Sequence, residues 1–292
     1  VVVPPEPPAP APVTETLICG MSHTDCIRRA IPEDLAATVE AINLLVHRDK
    51  LHPGTLLPRK DALKLRQPSL IAVSLGGNGH NILGLIEHPE PFAVVAPGWQ
   101  EGALDGRQII PATTLRAVLA ERLIRFAHIP ATLREMFPDA RLVIVNPPPP
   151  QGDRAKILAT PTVFANDIHR GLAPDALRLA VHAVQTGIYR DLALRLGADF
   201  LTTPDRALTP EGLLAAKYCG RDPTHGNTAF GRLMLNCILD IRNRPPCPHP
   251  PQDTPIMDFP IDSSGVPIPP SRIRRLLTRS RNRLSGLLRR TG

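Results

Sequence analysis

The sequence predicts an α/β domain built on a central parallel sheet with helices on both faces. Three observations carry this. Short apolar runs end abruptly in glycine or asparagine, and stretches with helical apolar spacing alternate with them. The chain has 292 residues with 42% hydrophobic content, enough for one large core.

Each element follows from its own residues. Residues 1–13 are rich in Pro and Ala and predict an extended arm. Thr16-Leu-Ile-Cys19 is an apolar run stopped by Gly20, as a buried first strand would be. Thr24 to Ala30 begins a helix. Pro32 to Val46 reads as a second helix, because Leu35, Val39, Ile42 and Val46 recur at helical spacing. Leu51 to Leu65 is loop, with Pro53-Gly54 as a turn. Ser69 to Leu75 is a second buried strand, again followed by glycine. Thr113 to His128 is a helix with Leu115, Val118, Leu119 and Leu123 on one side. Arg141 to Val145 is a third strand, stopped by Asn146 and four prolines. Pro174 to Leu196 is the longest helix, with Pro174 suited to a first helical position. Ala198 to Leu201 is the last strand and Thr228 to Ile241 a closing helix. The folded domain therefore spans 14–243. Residues 244–270 contain ten prolines and predict a stiff linker, and 271–292 form an arginine-rich tail.

Composition narrows the function classes. Aromatic residues make up 3%, which argues against a surface that stacks sugars or bases. The formal charge of +7 belongs to the tail. Residues 271–292 hold eight arginines and no acid, leaving the rest of the chain near −1. A nucleic-acid-binding body would carry its own basic face, so no nucleic acid partner is expected. The tail leaves two readings: a solvated appendage, or a basic amphipathic segment lying on an anionic membrane surface or an acidic partner. The five cysteines, Cys19, Cys26, Cys219, Cys237 and Cys247, include no CxxC pair. They predict reduced thiols in a cytoplasmic protein and no structural zinc. Val1-Val-Val-Pro-Pro has neither the charged nor the apolar region of a secretory signal, and no apolar run reaches the ~20 residues of a membrane span.

Three short motifs carry chemistry. Asp222-Pro-Thr-His225 places a carboxylate three residues before an imidazole, so that it can hold one ring nitrogen while the other accepts a proton. The same four residues also suit an Asx-type turn capping the last helix. In Gly20-Met-Ser22, the serine follows a strand and precedes a helix, which exposes its hydroxyl and a backbone N–H; an ordinary helix cap would look the same. Gly76-Gly-Asn78 places an amide donor in a glycine-rich turn, where backbone can approach a ligand closely; a plain tight turn is the alternative. Ser22 and Asn78 both lie beyond the carboxyl end of a strand, where parallel α/β sheets bind ligands. His80 either touches substrate or is hydrogen-bonded within its loop. His80 and His88 match no defined metal spacing, so no metal is expected. His23 shapes the loop rather than acting as base, and Asn146 with its prolines lines the pocket.

Taken in order, Gly20-Met-Ser22, Gly76-Gly-Asn78 and Asp222-x-x-His225 resemble blocks I, III and V of the SGNH (GDSL-like) hydrolase family. The resemblance covers residues 14–242. It implies a flavodoxin-like three-layer α/β/α sandwich with a central parallel sheet. It implies Ser22 as nucleophile, His225 and Asp222 as its acid–base partners, and Asn78 with the Ser22 N–H as oxyanion donors. Gly76, Gly77 and His80 are then expected at the substrate, a small acyl ester such as an acetyl ester, with no cofactor. Two positions depart from the family pattern. Met21 stands where the family usually has Asp, and the block II glycine has only Gly54 as a candidate, which also suits a plain turn. Beside esterase activity, the resemblance leaves open an acyltransferase on the same site and a non-catalytic binding protein that keeps the fold.

Overall fold

The computed structural model describes residues 15–52, 59, 67–95 and 106–245. Gly54, the 1–13 arm, the tail and all but the first two residues of the 244–270 stretch lie outside the described residues. The chain divides into Val1–Pro250 and Pro251–Gly292, and everything described belongs to the first unit.

Five strands form one parallel sheet: β1 (Thr16–Gly20), β2 (Val39–Asn43), β3 (Leu70–Ser74), β6 (Arg141–Val145) and β7 (Asp199–Leu201), in the order β2-β1-β3-β6-β7. Among the described residues two further parallel strands, β4 (Phe92–Val95) and β5 (Gln108–Pro111), pair with each other alone. Counted along the main sheet, this is the 2-1-3-4-5 winding of flavodoxin-like folds, with its switch point between β1 and β3. The register aligns the strand ends. Gly20 lies opposite both Asn43 and Ser74, and Ser74 lies opposite Val145. The loops that follow these strands therefore leave the sheet at one level.

Among the described residues there are six α-helices: α1 (Thr24–Arg28), α2 (Gly79–Gly84), α3 (Ala112–Met136), α4 (Arg154–Ala159), α5 (Asp175–Arg195) and α6 (Thr228–Arg242). Side chains alternate along each strand. Ile18, Leu70, Ala72, Val143 and Val145 join Cys26 and Ile27 of α1 and Phe230, Leu233, Met234 and Ile238 of α6 in one buried cluster. Leu17, Cys19, Ile71, Val73, Leu142 and Ile144 are equally buried and point to the other face, against which α3 and α5 pack. Among the described residues no helix is long and apolar enough to cross a membrane.

Three expectations need correction. The helix read over 32–46 is a single 3-10 turn at Glu33–Leu35 followed by strand β2. Four of the five β2 side chains are buried, so the strand has no period-two signature, and its apolar spacing imitates a helix. The helix expected to end at His128 runs to Met136, carrying Pro130 inside it at the loss of one backbone bond. Pro174 is the residue before helix α5 rather than its first residue, with an extended ψ of 143°.

Candidate active site

Ser22 emerges from the tight turn between β1 and α1. Gly20 makes that turn possible. Its φ is +154°, and a Cβ there would lie 1.9 Å from the Ser74 carbonyl oxygen. The Met21 N–H donates to that same oxygen at 2.9 Å, tying the turn to β3. Met21 itself is 5% exposed, so the position that departs from the family pattern holds a buried apolar side chain. Among the described residues the Ser22 N–H donates to no backbone carbonyl outside the helices and strands.

His225 enters from the other end of the chain. Its Nε2 lies 2.8 Å from Ser22 Oγ, across 203 residues of sequence. Its Nδ1 lies 2.9 Å from each Asp222 carboxylate oxygen. Asp222 Oδ1 also accepts from the Thr224 N–H and hydroxyl, both at 2.8 Å, and from the His225 N–H at 3.2 Å. Burial pushes the Asp222 carboxyl up, but the bonds from the His225 ring and from Thr224 outweigh it and hold the group well below the usual carboxylate range. Asp222 thus makes the Asx-type turn and orients the imidazole at once. Capping of α6 falls to Asn227, whose Oδ1 accepts from the Phe230 N–H at 3.0 Å.

The loop carrying this pair is held by a residue the motifs do not reveal. Gln151 Nε2 donates to the Asp222 carbonyl at 2.7 Å and to the His225 carbonyl at 2.9 Å. The Gln151 carbonyl in turn accepts from the fully buried Arg178 of α5 at 2.6 Å. Gln151 follows the four prolines after β6, and that strand-end position is the only sequence signal it offers.

Asn78 sits at the start of α2, beyond β3, and so across the switch point from Ser22. Its Oδ1 lies 3.1 Å from His23 Nε2. The two glycines before it are closely packed. A Cβ on Gly76 would lie 2.6 Å from the Phe126 ring, and one on Gly77 would lie 2.5 Å from His23 Nε2. Their carbonyls accept from Tyr189 Oη and Gln185 Nε2, both at 2.9 Å. Without side chains there, the two glycines let β3 and its turn close onto α3, α5 and His23.

His80, the second residue of α2, is 1% exposed, with its ring 4.9 Å from that of His182. Its backbone N–H donates to Gln185 Oε1 at 2.7 Å. His88 is exposed and bonds within its own turn, through Nδ1 to the Glu90 carbonyl. Asn146 is buried and donates to the Thr186 hydroxyl at 3.1 Å. Gly54 lies outside the described residues. Among the described residues no group of three or more His, Cys, Asp or Glu could hold a metal ion. Burial pushes the Cys19 and Cys26 thiols up to about 12, so both stay protonated near neutral pH.

No family model and no curated protein sequence matches the chain. Solved structures do. An extracellular lipase from Streptomyces rimosus is 12% identical with a TM-score of 0.45, covering 79% of this chain and 100% of its own. Phospholipase A1 from Streptomyces albidoflavus is 13% identical with a TM-score of 0.44, covering 79% and 99%. The periplasmic domain of a lipopolysaccharide acetyltransferase from Salmonella Paratyphi A is 10% identical with a TM-score of 0.39, covering 80% and 85%. At these identities and scores nothing about activity passes to this chain.

Proposed function

We propose that the protein is a serine hydrolase of the SGNH type, acting on a small acyl ester through an acyl-enzyme. The observation that carries the reading is the continuous line of hydrogen bonds Ser22 Oγ–His225 Nε2 at 2.8 Å and His225 Nδ1–Asp222 at 2.9 Å. A serine hydroxyl is a weak nucleophile unless a base within bonding reach takes its proton. In the proposed reaction Ser22 Oγ attacks the ester carbonyl carbon while its proton passes to His225 Nε2. The depressed Asp222 carboxyl stays ionised and stabilises the imidazolium through Nδ1–H. The carbonyl oxygen, now negative, is received by the Asn78 amide and the Ser22 N–H. His225 then gives the proton to the leaving alcohol, and water repeats the sequence to release the acid. No cofactor takes part in this reading.

An acyltransferase would use the same steps with another acceptor in place of water. A binding protein without activity is the remaining alternative, and buried Met21 is the feature that favours it. Cytoplasmic location is part of the proposal, supported by the unpaired, buried thiols at Cys19, Cys26 and Cys219. Contact of the 271–292 tail with an anionic membrane surface or an acidic partner is proposed from its eight arginines alone.

The test is turnover of a short-chain nitrophenyl ester by the wild type, Ser22→Ala and His225→Ala. Each substitution is expected to lower kcat by about 10³-fold or more. A fluorophosphonate should label the wild type at Ser22 only. Equal turnover in all three proteins removes the mechanism. A folded wild type that neither turns over ester nor takes the label supports the binding-protein alternative.

A further inference from the structure

His23 is the residue of the site that the serine mechanism leaves unused, although it touches both halves of it. The ring lies 4.7 Å from the His225 ring, tilted by 44°, on the side of the base. On the side of the amide its Nε2 lies 3.1 Å from Asn78 Oδ1. It is 5% exposed, and its Nδ1 has no partner among the described residues. The space is made for it: a Cβ on Gly77 would fall 2.5 Å from its Nε2. Among the described residues the bond to His23 is the one hydrogen bond of the Asn78 side chain.

We propose that His23 is a positioning residue that selects the working orientation of the Asn78 amide, by donating from Nε2–H to Oδ1 so that Nδ2 is left free for the oxyanion. This rests on the hydrolase reading above for its consequence, though not for its geometry. An asparagine amide is nearly symmetric in shape and opposite in charge at its two ends. With Nδ2 toward the reacting carbonyl it stabilises developing negative charge, and with Oδ1 there it opposes it. Backbone placement cannot choose between the two; a fixed donor on one side can. Amide orientation and ring tautomer are therefore one coupled choice. Nε2–H fixes Oδ1 on the ring, whereas Nδ1–H would turn Nδ2 onto the bare Nε2 and present the oxygen to the substrate. A neutral ring suffices for this, and burial, followed by the charge of nearby His225, pulls the His23 pKa down to about 3.

Two variants and one spectroscopic measurement test the proposal. A glutamine amide nitrogen can stand near the position of Nε2 and donate, whereas leucine cannot. His23→Leu is expected to lower kcat on a nitrophenyl ester by about 10–100-fold, less than the ~10²–10³ lost on removing an oxyanion donor outright, with KM within about threefold. His23→Gln should recover most of that loss. The double variant with Asn78→Ala should be no slower than Asn78→Ala alone, because the histidine acts only through the amide. Losses that multiply, or a glutamine variant that folds yet is as slow as the leucine variant, overturn the proposal. The second arm needs no turnover and so separates this inference from the hydrolase reading. In ¹⁵N-labelled wild type at pH 7, the His23 ring should be neutral with its proton on Nε2, and that proton signal should shift in Asn78→Leu. A proton on Nδ1, or no shift, overturns the inference even in an active enzyme; the expected signals in a protein that turns over no ester leave it standing while the hydrolase reading falls.

Discussion

At the scale of single residues, Asp222 combines roles that can be separated. Its Oδ1 organises the loop by accepting from Thr224 and from the His225 N–H, while both oxygens face His225 Nδ1. Asp222→Asn keeps an oxygen for the turn but loses the negative charge, and it allows the amide nitrogen to meet the ring. Facing an N–H donor, Nδ1 becomes an acceptor and the proton moves to Nε2, where the Ser22 proton has to go. The expected outcome is a kcat lower by about 10²–10⁴-fold with a modest drop in the unfolding midpoint from the lost charge, measured by ester turnover and urea titration. Loss of stability without loss of turnover would mean that Asp222 serves the loop alone. The sequence made Ser22, Asn78, Asp222 and His225 legible, because glycine-flanked strand ends and an acid three residues before a histidine are local patterns. His23 was visible only as a loop residue and Gln151 not at all. Their partners lie 55 and more than 70 residues away, and nothing local specifies them.

At the scale of elements, the distance between nucleophile and base is set by how closely two helices meet. Ser22 lies just before α1 and His225 just before α6, and the two helices pack on each other. Their backbones come close at Gly231, where an added Cβ would fall 1.9 Å from the Cys26 carbonyl oxygen. α1 is only five residues long and cannot absorb that strain internally. Gly231→Ala must therefore push α6 away from α1 and draw His225 from Ser22. The expected stability loss is about 1–3 kcal/mol, the usual range for overpacking. Turnover should fall further than stability explains, by about 10–100-fold in kcat, since displacements near 1 Å suffice for such losses. A variant destabilised in urea but fully active in buffer would show that the helix contact does not set the site. Most elements were legible because their ends carry glycine, asparagine or proline. β2 was not, because a short strand covered on both faces has no alternation to read. The β4–β5 pair was missed for another reason. Phe92–Val95 and Gln108–Pro111 are four residues each, and what defines them is their pairing with each other.

At the scale of the whole molecule, the site leaves its mark on stability through its histidines. Burial, and then nearby His225, pull the His23 pKa down to about 3, and burial pulls that of His182 down to about 4. His80 is lowered as well, by burial first and by His182 and His23 after it. In the unfolded chain each of these rings titrates near the ordinary value of about 6.5. The sign follows directly. Below about pH 6.5 the unfolded chain takes up protons that the native chain refuses, so acid favours unfolding; above it, neither state binds them and their contribution to stability is complete. Each such proton tilts the unfolding free energy by about 1.4 kcal/mol per pH unit. Asp222, with its depressed carboxyl, adds to the same trend only below about pH 4, where the unfolded carboxylate protonates first. Urea unfolding between pH 8 and 4.5 should therefore show a plateau above about pH 7 and a decline below it with the slope of one to three protons. His80→Leu separates this from general acid sensitivity. It removes a buried ring while leaving every residue of the proposed mechanism in place, so the slope should fall by about one proton. A flat profile down to pH 4.5, or a slope unchanged in His80→Leu, would mean that water reaches these rings in the native protein and that the interior behind Asn78 is wet.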